Sequence, residues 1–227
     1  MSPAASRAQF TARVPVDCSL ISVSNLVLHP RYLPQLVPIL LDGADNMKDE
    51  DIRQCCQYGL GLLAEHIPAA FVQVLPQALE KILRVIQHPQ AREDDNESAT
   101  DNAVSALGKV IEFHGASLPD PKAAAAVYLG YLPVRGDEVE AKVVHGQLLR
   151  FVQGSTPLIL GDNNANLGRV VGVLAEAAAS DSLTNADTRQ GIKTLLQQMQ
   201  AAMGGVFTQL VSGLSPAQQQ ALAKVFA

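Results

Sequence analysis

The histidines and cysteines are the side chains of this sequence best suited to metal binding or catalysis, and their spacing argues against both. No two histidines lie four residues apart, the spacing that would place two ligands on one face of a helix. Neither an HExxH nor a CxxC motif occurs. We therefore predict no catalytic residue, no metal site and no cofactor. The histidines are His29, His66, His88, His114 and His145.

Three short motifs share part of a reactive-loop pattern, but each is incomplete. Gly59-x-Gly61 falls inside a predicted helix rather than after a strand, so it does not match a dinucleotide-binding loop. Gly154-Ser155 lacks the flanking residues of a nucleophile elbow. The turn at 161–164 lacks the later acidic ligands of a calcium loop. We therefore expect a binding protein rather than an enzyme.

The most acidic stretch of the chain runs from Ala91 to Asp101 and allows two interpretations. It could be a solvated loop that also caps the next helix, through Asn96 or Ser98, because runs of like charge are usually solvated. It could instead contact a partner rich in lysine and arginine. The carboxylates that would make this contact are Glu93, Asp94, Asp95 and Glu97.

Composition narrows the classes of partner and compartment. The 227 residues carry a net charge of −5, which argues against nucleic acid or an anionic membrane as a direct partner. The three cysteines are odd in number and include the adjacent pair Cys55-Cys56, which indicates a reducing compartment. No apolar run reaches the length that a bilayer requires, so no membrane insertion is expected.

Apolar side chains recur at helical spacing through the stretch from Asp51 to Gly115, which predicts two amphipathic helices joined by a turn at Ile67-Pro68. Such a pair cannot bury both apolar stripes by itself. Gly59 and Gly61 each cost a helix about 1 kcal/mol relative to alanine, so we expect a neighbouring helix to approach closely there. The first apolar stripe consists of Ile52, Cys55, Cys56, Gly59, Leu60 and Leu63.

Short segments recur along the chain at spacings near 40 to 50 residues. Leu33-Pro34-Gln35 is echoed at Leu75-Pro76-Gln77, and Gly59-Leu60-Gly61 at Ala106-Leu107-Gly108. This period is typical of HEAT-type helix pairs. We predict an all-α HEAT-repeat α-solenoid, a right-handed superhelix of about five antiparallel helix pairs. Later helices are predicted at about 98–113, 121–132, 138–152, 164–179, 187–203, 206–210 and 216–227, with a long turn at 155–164.

The chain divides into a leader at 1–28 and a solenoid at 29–227. The leader has a faint organelle-targeting composition, with Arg7 and Arg13 and a single acid, but no sustained amphipathic helix. The alternative is a disordered or non-homologous leader. The segment from Tyr32 to Asp42 looks like the second helix of a pair, so we expect the solenoid to be the C-terminal portion of a longer array.

Three separated blocks resemble the C-terminal HEAT repeats of importin-β superfamily (karyopherin) receptors, of the importin-5 type. They are Ile52–Glu65 (IRQCCQYGLGLLAE), Ala99–Phe113 (ATDNAVSALGKVIEF) and Leu160–Glu176 (LGDNNANLGRVVGVLAE), in the order that the family has them. The tail Ser215–Phe226 (SPAQQQALAKVF) is also similar to that branch.

The resemblance implies a nuclear import receptor, of which this chain is a C-terminal fragment. Such receptors bind cargo proteins with basic segments, such as ribosomal proteins or histones. They also bind FG-nucleoporins and RanGTP, Ran mainly through N-terminal repeats that are absent here, and they shuttle between cytoplasm and nucleus. No single Ran or FG contact transfers to a residue of this chain. The alternatives are a HEAT scaffold for a cytoplasmic complex, or a truncated product with no independent transport activity.

Overall fold

The computed structural model describes residues 30–154 and 156–227, so the predicted leader lies outside the described residues. All regular elements of these two stretches are helical, which confirms the predicted all-α class. The α-helices are α1 (Leu33–Gly43), α2 (Glu50–His66), α3 (Pro68–Ile86), α4 (Asp94–His114), α5 (Pro121–Tyr131), α6 (Glu138–Gln153), α7 (Pro157–Leu160), α8 (Leu167–Ala178), α9 (Ala186–Met203), α10 (Gly205–Ser212) and α11 (Pro216–Phe226). Short 3-10 turns occupy Pro30–Tyr32, Gly115–Ser117 and Asp162–Asn164.

The helices form two layers, as a solenoid of helix pairs requires. In the first layer α2 packs against α4, α4 against α6, and α6 against α9. In the second layer α1 packs against α3, α5 against α7, and α8 against α11. The two layers pack on each other through pairs such as α2 with α3, α3 with α4, and α8 with α9. The described helices lack the combination of length and apolar composition that a membrane span needs.

The repeat period is regular in the first layer. The helices α2, α4 and α6 begin at Glu50, Asp94 and Glu138, which are 44 residues apart in each case. Equivalent positions in the three helices therefore face the same core. The prediction of helix pairs repeated at 40 to 50 residues is confirmed. One such set of fully buried equivalents is Leu60, Val104 and Leu148.

The two glycines of α2 allow close packing on two sides, as the sequence predicts. A Cβ atom at Gly59 would stand 2.6 Å from Cδ2 of Leu40 in α1. A Cβ atom at Gly61 would stand 3.2 Å from Cα of Ala106 in α4. The small residues thus offset their low helix propensity by letting two neighbouring helices approach the backbone of α2.

The helix start predicted at Ser98 is wrong. The helix α4 begins at Asp94 with Glu93 as its N-cap residue, so the acidic run is the first turn of the helix rather than a loop. Neither Asn96 nor Ser98 is the cap. Carboxylates at this end are stabilised by the helix macrodipole, which favours extending the helix through the acidic run.

The long turn predicted at 155–164 contains more regular structure than expected. The single-turn helix α7 occupies Pro157–Leu160, and Asp162–Asn164 forms a 3-10 turn. Pro157 lies in the first turn, where the lack of an N–H costs no hydrogen bond. The sequence signals for chain reversal were correct, but they do not exclude one turn of helix.

Two predicted helix starts are confirmed in detail. Asp120 precedes α5 and its side chain accepts a hydrogen bond from the N–H of Ala123. Ser215 precedes Pro216 at the start of α11, and it forms a reciprocal capping box with Gln218. Both starts follow the preference for a short polar cap before proline in the first helical turn.

Candidate protein-binding site

The acidic first turn of α4 is joined to the first turn of α2. The guanidinium of Arg53 in α2 is buried, and its Nη2 donates to Oδ1 of Asn96 at 2.6 Å and to the carbonyl of Asp95 at 3.3 Å. Its Nη1 donates to the carbonyl of Asn46, in the loop before α2. The N-terminal ends of the two helices therefore lie side by side at one edge of the solenoid.

The first turn of α6 joins the same edge through Asp137, the N-cap residue of α6. One carboxylate oxygen of Asp137 accepts from the N–H groups of Val139 and Glu140. The other accepts from Nε2 of Gln54 in α2 at 3.1 Å and from Nδ2 of Asn102 in α4 at 3.0 Å. Hydrogen bonds thus hold the N-termini of α2, α4 and α6 together.

Together these three turns present a surface of net negative charge, which we name the acidic edge. Exposed basic side chains in the same turns are Lys48, Arg92 and Arg135. The guanidinium of Arg92 lies 3.6 Å from the ring centre of Tyr131, and Arg135 forms an ion pair with Glu176, so two of these three cations are engaged within the chain. The exposed carboxylates of the acidic edge are Asp49, Asp51, Glu93, Asp94, Asp95 and Glu138.

The four carboxylates predicted to contact a basic partner fall into two groups. Glu93, Asp94 and Asp95 are exposed. Glu97 is partly buried, and its Oε1 lies 4.0 Å from Nη1 of Arg92. Its Cγ would stand only 2.5 Å from a Cβ atom built at Gly136. Three of the four are therefore accessible to a partner, while Glu97 helps to hold the turn. Their contact with a partner stays a prediction.

Sequence reasoning missed the other members of the acidic edge, although a signal was present. The three residues at the helix starts, Asp49, Glu93 and Asp137, are each separated by 44 residues. Asp49 and Asp137 cap α2 and α6, and Glu93 occupies the N-cap position of α4. Comparing acids at the repeat period, rather than searching for the longest acidic run, would have found this set.

A fully buried carboxylate lies behind the acidic edge. Oδ2 of Asp101 accepts from the backbone N–H of Gly136 at 2.7 Å and of Asp137 at 3.0 Å. Burial raises the pKa of Asp101 to about 6, although these hydrogen bonds and the charge of Arg92 oppose the rise. The side chain is therefore ionised at neutral pH and ties α4 to the loop that precedes α6.

The positions of α2 and α6 that are equivalent to Asp101 also bury a polar side chain, which forms a hydrogen bond with a loop. Gln57, Asp101 and His145 are 44 residues apart and all fully buried. Nε2 of Gln57 donates to the carbonyl of Ala44 at 2.8 Å, and Nδ1 of His145 to that of Leu183 at 2.9 Å. Burial lowers the pKa of His145, so its imidazole is neutral. The loops of the solenoid are thus positioned from within the first helical layer.

The remaining buried charges also serve the packing of the first layer. Lys109 in α4 forms an ion pair with Glu65 in α2 at 3.2 Å. Burial raises the pKa of Glu140 in α6, although the hydrogen bond from Ser105 and the charge of Lys109 counteract it. Within the described ranges, no group of three or more His, Cys, Asp or Glu side chains is placed to hold a metal ion.

Comparison with curated proteins finds importins. The chain is 22% identical over 173 residues to importin subunit beta-3 of Saccharomyces cerevisiae, and 26% identical over 184 residues to importin-4 of Homo sapiens. These matches cover 76% and 78% of this chain. It is 28% identical over 118 residues, 49% of its length, to a probable importin-5 homolog of Dictyostelium discoideum. The similarity to the karyopherin superfamily is thereby confirmed.

No family model matches this chain. The chain spans 15%, 16% and 11% of the length of these three relatives, so each is several times longer than the chain. The matches therefore show that this chain is similar to a part of each of these importins.

Proposed function

We propose that this chain is the C-terminal part of a nuclear import receptor and that its acidic edge contacts lysine- and arginine-rich segments of cargo proteins. Two observations support the proposal. The curated relatives are importins, and three acidic helix N-termini are held together on one exposed edge. The second observation indicates the class of cargo, because a dense set of carboxylates attracts basic protein segments.

The proposed action is binding without catalysis. Adjacent helices of a layer lie about 10 Å apart, so the carboxylates of α2, α4 and α6 form a row about 20 Å long. An extended segment advances about 3.3 Å per residue, so basic side chains about three residues apart would meet successive helix ends. The exposed carboxylates remain hydrated before binding, and they would act mainly by accelerating the encounter and by setting the register.

The wider roles of the receptor belong to the same proposal. Ribosomal proteins and histones are the class of basic cargo that the resemblance implies. Binding of FG-nucleoporins, release of cargo by RanGTP, and shuttling between cytoplasm and nucleus would be activities of the whole receptor. Ran is expected to bind mainly through repeats that lie outside this chain. We propose no catalytic activity and no direct contact with nucleic acid.

The acidic edge can be tested by neutralising Asp94 and Asp95. Both side chains are exposed, so the D94N/D95N variant should fold normally. We expect its affinity for a fluorescein-labelled lysine-rich peptide, measured by fluorescence anisotropy at low salt, to fall by about three- to tenfold. Affinity of the unmodified chain should also fall as salt is added, because exposed charges are screened.

A matched control lies at the opposite edge. Asp120 and Asp162 are exposed at the far end of α4, about 30 Å from its N-terminus: Asp120 caps α5, and Asp162 forms an ion pair with Lys122 in the first turn of α5. The D120N/D162N variant changes the net charge by the same amount and should bind the peptide as the unmodified chain does. Equal losses in the two variants, or binding that salt does not weaken, would contradict a localised electrostatic site.

A further inference from the structure

An open groove of about 380 Å³ lies where α8, α10 and α11 meet, and its volume is at the small end of the range for ligand sites. At Gly168, in the first turn of α8, a Cβ atom would meet nothing within 4 Å, so the groove is open space rather than a packed contact. We name it the C-terminal groove and define it by Gly168, Arg169, Leu210, Leu214 and Gln218. It shares no residue with the acidic edge.

One wall of the C-terminal groove is apolar and only partly covered. Leu210 in α10 and Leu214 shortly after it are partly buried. Val206 lies one turn before Leu210 on the same face of α10 and is 61% exposed. The wall therefore offers a partner apolar surface along about two helical turns. Because it extends beyond a single side chain, it suits a protein segment better than a small acid or base.

Arg169 is the one charged side chain among the described residues that line the groove, and it is held in place without being neutralised. Its Nε donates to the carbonyl of Leu129 at 3.2 Å, and its Nη2 donates to the carbonyls of Gly130 and Leu132. These carbonyls lie at the C-terminal end of α5, which has about half a negative charge, so net positive charge remains. In the part of the chain that the structure describes, Arg169 forms no ion pair, and its Nη1 is left for a ligand.

The charges around the C-terminal groove indicate an acidic occupant. Asp187 is the last acidic side chain of the sequence, so α10 and α11 have none. The helix α10 has no charged side chain at all, and the single one of α11 is a lysine. The acids on either side of Arg169 in sequence are engaged, since Asp162 pairs with Lys122 and Glu176 pairs with an arginine of the loop before α6. A carboxylate that enters the groove therefore meets positive charge and little repulsion.

We propose that the C-terminal groove binds a protein segment in which an acidic residue lies next to an aliphatic or aromatic residue. The carboxylate accepts charge-assisted hydrogen bonds from Nη1 of Arg169. The apolar side chain covers Leu210 and Leu214 and fills the space beside Gly168. This site goes beyond the proposed function, because it selects the charge opposite to the one that the acidic edge selects.

The test measures binding of a rhodamine-labelled peptide of glutamate, leucine, serine and glycine, with an amidated C-terminus, to the full chain by fluorescence anisotropy. Replacing its glutamates by glutamines should weaken binding about five- to tenfold, because the ion pair with the guanidinium is lost. R169Q should weaken binding of the glutamate peptide by a similar factor and leave the glutamine peptide unchanged.

Gly168→Leu tests the groove without disturbing the hydrogen bonds of Arg169. A Cβ atom at this position meets no neighbour within 4 Å, and leucine has a higher helix propensity than glycine, so the variant should fold. Its side chain fills the groove and should weaken both peptides at least about tenfold. Neither G168L nor R169Q should change the affinity for the lysine-rich peptide, so the result is independent of the acidic edge.

Two matched variants provide the controls. K224Q removes an exposed charge from α11 outside the groove, and G115L adds a leucine at another position where a Cβ atom meets nothing within 4 Å. Both should bind the two acidic-series peptides as the unmodified chain does.

The C-terminal groove is overturned as an acidic-segment site if neither peptide binds, if the glutamate and glutamine peptides bind equally, or if G168L binds like G115L. The last comparison decides the matter even where circular dichroism shows that R169Q is unfolded. A single-stranded oligonucleotide that binds more tightly than the glutamate peptide and is equally sensitive to R169Q would overturn the assignment to a carboxylate. Self-association that R169Q abolishes, seen by sedimentation, would overturn it in favour of a second copy of the chain.

Discussion

Asp101 shows how a single buried residue can link stability to pH. Its carboxylate holds the loop at Gly136 and Asp137 against α4, and burial raises its pKa from the ordinary 3.8 to about 6. Between these two values the folded protein retains a proton that the unfolded chain has already released. The free energy of unfolding contributed by Asp101 therefore decreases as pH rises from about 4 to 6.

Replacing Asp101 by asparagine should remove this part of the pH dependence. A shift from 3.8 to about 6 corresponds to about 3 kcal/mol, so the stability of the unmodified protein relative to D101N should fall by up to about that amount between pH 4 and pH 7. Urea unfolding followed by circular dichroism at several pH values measures the difference. The raised pKa of Glu140 also makes the stability fall as pH rises, and the lowered pKa of His145 has the opposite effect. Both residues are present in the unmodified protein and in D101N, so their contributions cancel in the difference.

The exposed Asp94, seven residues earlier in α4, provides the control for that experiment. D94N makes the same substitution at an exposed position of the same helix, so it should lack the large pH-dependent difference that burial gives D101N. A profile for D101N that runs parallel to that of the unmodified protein would show that Asp101 does not carry the linkage. Such a result would mean that the carboxylate is better solvated than its burial indicates.

At the level of the elements, the packing of α2 against α4 depends on Gly61. The backbone of α4 comes so close that a Cβ at Gly61 would lie 3.2 Å from Cα of Ala106. The neighbouring atom belongs to the backbone of a helix, so it cannot move aside as the end of a flexible side chain could. A larger residue must push the two helices apart.

Gly61→Val should therefore destabilise the chain by about 1–3 kcal/mol, the usual cost of overpacking. Thermal unfolding measures the change. Gly130 in α5 is the matched control, because a Cβ there meets nothing within 4 Å. Gly130→Val should instead leave the stability within about 0.5 kcal/mol, because glycine and valine differ little in helix propensity. Similar effects of the two substitutions would show that close packing at Gly61 does not limit the choice of residue.

The existence of these elements could be predicted, but their boundaries only in part, since the helix predicted from 164 begins at Leu167. The apolar spacing in α2 and α3, and the capping residues Asp120 and Ser215, are local signals that act on neighbouring residues only. The start of α4 was placed four residues late, because the acidic run resembles a solvated loop when it is considered alone. Its first turn is fixed by Arg53, which comes from another helix and binds Asn96 and Asp95.

At the level of the whole molecule, stability is unevenly distributed along the array. Most of α4 is buried between α2, α3, α5 and α6, whereas in α10 only Phe207 is buried. In a solenoid each unit contacts mainly its neighbours, so helices can open locally without the rest of the molecule. We therefore expect the backbone amides of α4 to be better protected from hydrogen exchange than those of α10.

Hydrogen–deuterium exchange followed by mass spectrometry can measure this difference. Amides in the middle of α4 should exchange at least about a hundredfold more slowly than those of α10, because local opening of α10 exposes little apolar surface. The comparison needs no variant, since both helices are present in one protein. Equal protection of α4 and α10 would show that the chain unfolds as a single cooperative unit.

The sequence by itself determined that this protein is built from amphipathic helix pairs repeated at a near-constant period, because apolar spacing, caps and helix-breaking residues act over a few positions. It also carried the similarity to importins. Only the tertiary structure decided which charges act together. Asp49, Glu93 and Asp137 are 44 residues apart in the chain, and they share one edge because α2, α4 and α6 pack side by side with their N-termini at the same end.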